Sequence, residues 1–370
     1  MAPRRPDGVG AFPKAVEPPA PNTLDPDSLY AALDLGTNSC RMLIAQPKGN
    51  QFHVIDSFSK SVGLGQGLGG SGRLSRASMS RTIQALRICK RKLAKHDVGH
   101  MRLVATEACR RAANSRDFMR VVERETGLKL EIIKPEEEAM LAVISCAPLV
   151  STRTEQLLVV DIGGGSTELV WIDLSAVPPL ERPRSIMRLR AGFKGETGPF
   201  PAARVVDWIS VPLGVATLRE AYDDVEDDSA RFALMSWYFE EQLGGFSPFH
   251  RENAREGFQI IGTSGTVTTV AATHLGLKRY DRNKVDGLRM TSDQIDRVIR
   301  GYLAAGPEGR RADPRIGRDR QALIMSGAAI LQALLRIWPT DRLSVADRGL
   351  REGLLYAQMS SDGVLEDGPF

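Results

Sequence analysis

Two short stretches of the sequence place the same residue types in the same order. The first reads AALDLGTNSCRMLIA over residues 31–45, and the second reads LVVDIGGGSTELVW over residues 158–171. Each is an apolar run that stops at an aspartate, passes through a glycine-bearing turn and becomes apolar again. In this register Arg41 matches Glu168. One such turn is common in proteins, whereas two in register indicate a repeated functional unit.

The two turns are suited to holding phosphate together with a metal ion. A glycine-rich turn directs backbone N–H groups at one point, because glycine lacks the Cβ that would keep a phosphate oxygen away. Asp34 and Asp161 end the strands before the turns, where bare carboxylates would repel phosphate. A hard divalent cation such as Mg²⁺, held directly or through its waters, would resolve that conflict. A third loop, GTSGTVTT over residues 262–269, opens a helix and adds an anion site.

The elements that must position these turns alternate between strand and helix. Over residues 75–97, apolar side chains share one helical face, with Ser75 or Ser78 as the cap; they are Met79, Ile83, Leu86 and Leu93. Further helices are predicted over about 214–222, 230–243 and 314–338. The alternation predicts an α/β fold of two similar halves with a deep cleft between them.

Composition and charge exclude several classes of protein. The chain has 370 residues, of which 42% are hydrophobic and 25% charged, and this length predicts two domains. The net charge of +4 gives no argument for nucleic acid or membrane, although it leaves room for local basic clusters. The sequence contains no window of eighteen apolar residues. We therefore expect neither a nucleic-acid partner nor a membrane partner.

The cysteines and the N-terminal segment indicate a cytoplasmic protein. The four cysteines are scattered, with no C-x-x-C pair and no histidine at metal spacing, so neither a zinc site nor a disulfide framework is predicted; they are Cys40, Cys89, Cys109 and Cys146. Residues 1–28 are rich in proline and lack the apolar core of a secretory signal. We expect this segment to be a disordered tail.

A basic segment separates two of the predicted strands. Residues 172–207 resemble an elongated hairpin tip or an insertion and carry five cations within a short distance. These are Arg182, Arg184, Arg188, Arg190 and Lys194. They favour either a solvated loop or an arm that grips a polyanion.

Seven stretches of the chain, in the same order, resemble the exopolyphosphatase and guanosine pentaphosphate phosphatase family. This family belongs to the superfamily of actin-like ATPases, sugar kinases and Hsp70 chaperones. The stretches run from about residue 30 to 358 and read DLGTNSCRMLIA, VATEACRRAANSRDF, EIIKPEEEAMLAV, VVDIGGGSTELV, PLGVATLRE, IIGTSGTVTTVAA and VADRGLREGLL.

The resemblance implies two actin-like, ribonuclease H-like domains around a central cleft. Domain I would cover residues 29–150, joined by a C-terminal helix at about 348–360, and domain II would cover residues 151–347. A short form without the C-terminal helical domains of long members is implied, and a homodimer is expected. Two features depart from the family pattern: Asp286 stands where a histidine is frequent, and the segment 174–206 is longer than the usual link.

The resemblance also places the catalytic base at Glu138. A carboxylate at a helix start that faces the cleft can orient and deprotonate a water for in-line attack on a terminal phosphoryl group. Glu136 is the second candidate for this role. Alternatively, Glu136, Glu137 and Glu138 only complement the helix dipole.

The remaining roles follow from the same resemblance. Asp161 and Glu168 are expected to hold or hydrate Mg²⁺, with Asp34 sharing that task. Arg41, which stands in the place of Glu168, and Arg110 are expected to contact phosphate. The expected backbone and side-chain donors to phosphate are Asn38, Ser39, Gly164, Gly165, Ser166, Gly265 and Thr266.

The expected activity is Mg²⁺-dependent release of terminal orthophosphate from inorganic polyphosphate. Hydrolysis of guanosine pentaphosphate is the alternative, alone or as a second activity, but the sequence offers basic residues and no legible guanine motif. A sugar or acetate kinase would share the turns but would need a nucleoside pocket and an acceptor site. A sensor that binds an alarmone or polyphosphate without hydrolysing it is the non-enzymatic alternative.

Overall fold

The computed structural model describes residues 28–191, 203–250, 257–317 and 320–365. Residues 1–27, nearly all of the predicted disordered tail, lie outside these ranges. The described residues form eleven strands in two sheets. The strands are β1 (Tyr30–Leu35), β2 (Ser39–Lys48), β3 (Gln51–Ser61), β4 (His100–Ala105), β5 (Glu131–Ile132), β6 (Gln156–Ile162), β7 (Thr167–Asp173), β8 (Arg204–Val211), β9 (Phe258–Thr263), β10 (Arg289–Met290) and β11 (Leu343–Ala346).

Thirteen helices accompany these strands in the described residues. They are α1 (Leu68–Ser71), α2 (Arg76–Lys95), α3 (Glu107–Arg111), α4 (Ser115–Thr126), α5 (Pro135–Cys146), α6 (Arg182–Met187), α7 (Val215–Ala221), α8 (Asp228–Glu241), α9 (Gly265–His274), α10 (Arg282–Val285), α11 (Ser292–Ala312), α12 (Ile324–Ile337) and α13 (Leu350–Ser361). The predicted α/β alternation is confirmed.

The two sheets have the same topology around their first strands. The first sheet has the order β3-β2-β1-β4-β5, and the second has β10-β11-β9-β6-β7-β8. In each sheet an antiparallel hairpin, β1–β2 or β6–β7, is extended on one side by a further antiparallel strand and on the other by a parallel one. The repeated stretches of the sequence are therefore equivalent hairpins in equivalent sheets.

The leading strands of the two hairpins explain the apolar runs of the sequence. In β1 every residue except Asp34 is buried, and in β6 every residue except Gln156 and Asp161 is buried. Strands that are covered on both faces are apolar throughout. The one interior polar residue of each strand is thus the aspartate that precedes the turn.

The helices cover the sheets with separate apolar cores. Helix α2 begins after Ser75, whose side chain accepts a hydrogen bond of 3.1 Å from the Ser78 backbone N–H, and it buries Leu86 and Leu93 against the first sheet. The second core contains Trp171 and Trp338. No helix in the described ranges is both long and apolar enough to cross a membrane.

The C-terminal helix α13 returns to the first sheet. It packs against α5 and β1, and its residues Leu354 and Met359 share a buried cluster with Tyr30. Gly353 permits this packing, because a Cβ at that position would lie 2.1 Å from the Leu141 carbonyl oxygen of α5. The domain boundaries themselves remain a prediction.

Two sequence-based expectations are corrected by the structure. The helix predicted over 314–338 begins at Ile324, because residues around Pro314 and Gly317 form turns. In the basic segment, Arg182 is 5% exposed and donates to the carbonyl oxygens of Thr152, at 2.7 Å, and Val177, at 3.2 Å. Arg182 therefore serves the fold and cannot grip a polyanion.

The other cations of that segment give the arm hypothesis no added support. Arg184 and Arg188 lie 3.8 and 3.6 Å from the carboxylate of Glu181. Lys194 and the side chain of Arg190 lie outside the described part of the chain.

Candidate active site

The two hairpins end in turns of the same construction. Gly36 N–H donates to the Ser39 carbonyl at 2.9 Å, and Gly163 N–H donates to the Ser166 carbonyl at 2.9 Å. The strand register places Asp34 opposite Arg41 and Asp161 opposite Glu168. One hairpin therefore pairs a carboxylate with a cation, whereas the other pairs two carboxylates, an arrangement that is unfavourable unless a positive charge lies near.

The two turns meet each other directly. A Cβ on Gly164 would lie 3.1 Å from the Asn38 backbone nitrogen, and a Cβ on Gly165 would lie 2.3 Å from Thr37 Oγ1. The second turn is also backed by α7, since a Cβ on Gly214 would lie 2.4 Å from the Gly163 carbonyl oxygen. A side chain at Gly214 would clash with the backbone of the second turn, and one at Gly165 would clash with the Thr37 side chain.

The turns form one wall of a cavity of about 260 Å³. Four helices, α7, α9, α12 and α13, begin at residues that line it, namely Val215, Gly265, Ile324 and Leu350. Helix N-termini carry partial positive charge, so several of them around one cavity favour an anionic ligand. Helices α3 and α5 also contribute residues from their first turns, Glu107 and Glu138.

Glu138 is the one glutamate of the three at the start of α5 that lines the cavity. Glu136 is exposed, and Glu137 forms an ion pair with Arg102 at 2.5 Å. Glu138 is 9% exposed, and its carboxylate accepts a hydrogen bond of 2.7 Å from Arg110 Nη1. The side-chain position of Glu138 is therefore not that of a residue that only complements the helix dipole.

The electrostatic environment holds a proton on Glu138 more tightly than usual. Burial and the negative charge of Glu168 raise the pKa of Glu138 well above its ordinary value, while Arg110 opposes this rise. Arg110 is itself fixed by Glu107, with 3.0 Å between Nη2 and the Glu107 carboxylate. The raised pKa makes the Glu138 carboxylate a stronger base than an ordinary glutamate side chain.

Three further carboxylates share the cleft. Burial, Glu168 and Asp34 raise the pKa of Asp161 to about 7. Burial also raises the pKa of Asp34, against the effect of Arg41. Burial raises the pKa of Glu168, although Ser166 and Ser210 hydrogen-bond to the carboxylate, Ser210 at 2.8 Å. Each of these carboxyl groups is therefore harder to ionise than it would be in water.

A metal ion fits this donor set only with ligands from outside the protein. Within the described ranges, no group of three or more His, Cys, Asp or Glu side chains is arranged to hold a metal ion. Mg²⁺ commonly takes one or two carboxylates and fills its shell with water and phosphate oxygens. Asp34 and Asp161, which both line the cavity, suit that mode of binding.

Comparison with known proteins identifies the family. The Ppx/GppA phosphatase family profile matches residues 43–362, most of the chain. The chain belongs to this family. The resemblance predicted from the sequence motifs is therefore confirmed.

Two relatives of known name are identical to this member of the Ppx/GppA family at about a quarter of the aligned residues. It is 27% identical over 341 residues to a guanosine-5'-triphosphate,3'-diphosphate pyrophosphatase of Aeromonas salmonicida, with 90% of this chain and 60% of that protein aligned. A protein of the same name from Aeromonas hydrophila is also 27% identical, with the same coverage. The chain spans about 60% of the length of these curated relatives.

Solved structures of the family show the same fold. The Ppx/GppA family member of Aquifex aeolicus is 29% identical, with a TM-score of 0.70 over 90% of this chain and 98% of that one. An exopolyphosphatase from Cytophaga hutchinsonii is 22% identical, with a TM-score of 0.75 over 92% and 100% of the two chains, and shows the fold alone. The predicted fold class, α/β with two actin-like domains, is confirmed.

Most residues predicted for the site in this family member lie around the one cavity. Arg110 and Glu168 do not line it. Arg110 donates a hydrogen bond to Glu138, which lines the cavity, and the charge of Glu168 raises the pKa of Glu138. Those that line it are Asp34, Asn38, Ser39, Arg41, Glu138, Asp161, Gly164, Gly165, Ser166, Gly265 and Thr266. Their individual roles remain predictions.

Several residues of the cavity were not predicted. Thr37 is 5% exposed, and its hydroxyl has no hydrogen-bond partner among the described residues. Ser264 caps α9 with φ of 119°, a conformation that side-chain-bearing residues rarely adopt and that occurs most at functional sites. Arg348 and Arg351 line the cavity from the loop before α13 and its first turn. The motif VADRGLREGLL was the signal that could have identified these two arginines.

Asp286, the departure from the family pattern, supports the cavity from behind. One of its carboxylate oxygens accepts from Arg348 Nε at 2.9 Å, and the other accepts from the Asp347 backbone N–H at 3.0 Å. Arg348 and Asp347 both line the cavity. In this chain Asp286 therefore fixes the loop before α13 through these two hydrogen bonds.

Proposed function

We propose that the chain is a phosphohydrolase that releases terminal orthophosphate from inorganic polyphosphate. The observation that carries this proposal is the position of Glu138. Its carboxylate faces a cavity built from two glycine turns and several helix N-termini, and its raised pKa makes it a stronger base than an ordinary carboxylate. No other glutamate at the start of α5 lines that cavity.

The reaction follows from these positions. The terminal phosphoryl group lies against the N–H groups of residues 37–39 and 164–166. Glu138 takes a proton from a water whose oxygen attacks the phosphorus, and the bridging oxygen leaves with the shortened chain. Arg110 orients the Glu138 carboxylate and places positive charge beside the transferring group. Arg41 binds a phosphate oxygen across the first turn.

Mg²⁺ is part of this proposal. Asp161 and Glu168 would hold it directly or through water, with Asp34 sharing the task. When bound, the ion would neutralise phosphate charge that the carboxylates otherwise repel.

The lining of the cavity favours inorganic polyphosphate over a nucleotide. None of the described residues that line it is aromatic, so the cavity offers no ring on which a guanine base could stack. Hydrolysis of guanosine pentaphosphate is the second candidate, because the Aeromonas relatives carry that activity in their names. Side-by-side turnover of long polyphosphate and guanosine pentaphosphate by the purified chain separates the two substrates.

Replacing Glu138 by glutamine tests the mechanism. Glu138→Gln keeps the shape and removes the base, so we expect it to bind polyphosphate while hydrolysis falls by about 10²-fold or more. Release of orthophosphate in the presence of Mg²⁺ is the measurement, and Glu136→Gln is the matched control because Glu136 is exposed. Near-normal turnover by Glu138→Gln would remove the residue from this role.

The same assay separates the other classes of function. A kinase would transfer the phosphoryl group to an added acceptor and would release little orthophosphate with or without that acceptor. A sensor would bind polyphosphate or guanosine pentaphosphate with no hydrolysis by the unaltered chain.

A further inference from the structure

A basic groove lies outside the cleft, along helix α2. This helix contains seven lysines and arginines and no acidic residue, in a chain whose totals are nearly balanced at 49 basic and 45 acidic residues. The groove has two adjoining parts of about 500 and 640 Å³ that share Gln84, Arg87 and Glu125. Six cations line it: Lys60, Arg73, Arg76, Arg87, Lys90 and Arg91.

The cations of this groove are mostly unpaired. Arg87 lies 2.6 Å from the Glu125 carboxylate, whereas the other five have no carboxylate within 4.0 Å in the described part of the chain. Arg87 and Arg91 are four residues apart on the helix, as are Arg91 and Lys95, and like charges at this spacing destabilise a helix. A solvated helix face would normally intersperse acidic residues, so the arrangement indicates an anionic ligand.

The groove and the cleft lie on the two sides of one edge strand. Strand β3 is at the edge of the first sheet, and side chains alternate between the two faces of a strand. Ser59 and Ser61 line the cleft, and Lys60 between them lines the groove. A chain that leaves the cleft therefore has to cross a single strand, a width of about 5 Å, to reach the groove.

We propose that the groove along α2 binds the distal part of a long linear polyanion, inorganic polyphosphate, whose reacting end occupies the cleft. The inference rests on the proposed function for the identity of the polyanion. The groove spans residues 76–91 of the helix, which corresponds to roughly 22 Å. Its lining has no exposed aromatic side chain in the described residues, since Phe118 is 1% exposed. Proteins that bind single-stranded nucleic acid usually add such rings for base stacking.

The test removes three cations that form no ion pair. In the triple variant Lys60→Gln, Lys90→Gln, Arg91→Gln, we expect KM for long polyphosphate to rise roughly tenfold with kcat unchanged, and KM for tripolyphosphate to stay within twofold. The effect should diminish at high salt, because exposed charges are screened. The matched control, Arg153→Gln, Arg297→Gln, Arg311→Gln, removes the same charge from exposed positions away from the groove. Equal changes for long and short substrates, or the same change in the control, would overturn the proposal.

A binding experiment separates this proposal from the proposed function. Affinity for long polyphosphate is measured on the Glu138→Gln protein with and without the three groove substitutions, so no hydrolysis is needed. Weaker binding of the triple variant supports the groove even if the unaltered chain hydrolyses no polyphosphate. Unchanged binding overturns it. If a single-stranded oligonucleotide of equal charge displaces polyphosphate at equal concentration, the groove is a nucleic-acid site and the assignment is wrong.

Discussion

At the scale of single residues, the cleft is defined by how charged side chains are divided between the two hairpins. The hairpin with Asp161 opposite Glu168 places two carboxylates face to face, while the equivalent hairpin places Arg41 opposite Asp34. The repeat thus supplies a cation in one copy and an anion in the other. A phosphate–metal complex carries both signs of charge and would satisfy both hairpins.

Asp161 gives a prediction for stability. Its pKa of about 7 lies above that of an aspartate in the unfolded chain, so the folded state binds the proton more tightly. Ionising Asp161 lowers the free energy of unfolding. This loss is absent below about pH 4, grows as the pH rises to about 7 and is constant above that. Asp161→Asn removes this loss and should stabilise the metal-free protein at pH 8 by about 1–3 kcal/mol after allowance for solvent screening.

Thermal unfolding in a chelator checks this prediction. The Tm of Asp161→Asn should exceed that of the unaltered protein at pH 8, and the difference should shrink at pH 5. Mg²⁺ at pH 8 should raise the Tm of the unaltered protein more than that of the variant, because the ion binds the ionised carboxylate. A difference in Tm that does not depend on pH would contradict the assignment.

At the scale of elements, helix α7 sets the position of the second phosphate turn. The N–H groups of Val215 and Ala216 donate to the carbonyl oxygens of Gly163 and Gly164, both at 2.9 Å. Gly214 allows this contact, because a Cβ there would lie within 2.6 Å of backbone atoms of all three turn glycines. The start of α7 therefore holds the turn through backbone atoms. A side chain at residue 214 would meet these backbone atoms, which cannot rotate away as a side chain could.

Gly214→Ala should displace that turn. We expect a fall in kcat/KM of at least tenfold and a Tm lower by several degrees, since the clash is with backbone atoms. Gly245→Ala is the matched control, because nothing lies within 4 Å of the position its Cβ would take. Activity and Tm of Gly214→Ala equal to those of the control would show that the turn does not depend on α7.

At the scale of the whole molecule, helix α13 connects the C-terminal part of the chain to α5, the helix that carries Glu138. Its first turn lines the cavity, and its middle packs on α5, which carries Glu138. The contact is close at Gly353, which faces the Leu141 carbonyl. The position of Glu138 therefore depends on residues more than 200 positions away in the sequence.

Gly353→Ala tests this connection. Its Cβ would lie 2.1 Å from the Leu141 carbonyl oxygen, so α13 has to move away from α5. We expect a lower Tm and a lower kcat. Gly301→Ala on α11, where nothing lies within 4 Å, should instead raise stability slightly, by about 0.5–1 kcal/mol, through the better helix propensity of alanine. Effects of the same sign in both variants would argue against the packing explanation.

The sequence by itself determined the repeated hairpins, the α/β alternation and eleven of the residues that line the cavity. These depend on local signals: an apolar run ended by aspartate, a glycine turn and a helix after it. The cap of α2 at Ser75 was predictable for the same reason, because capping needs only residues within one turn.

Only the tertiary structure decided which charged residues serve the fold and which face a ligand. The sequence could not distinguish Arg182, which is buried against two carbonyl oxygens, from the unpaired cations of α2. It could not select Glu138 over Glu136 by position alone, nor show that Asp286 holds Arg348. Such distinctions depend on burial and on partners distant in the sequence, and both arise only when the two sheets and α13 have packed together.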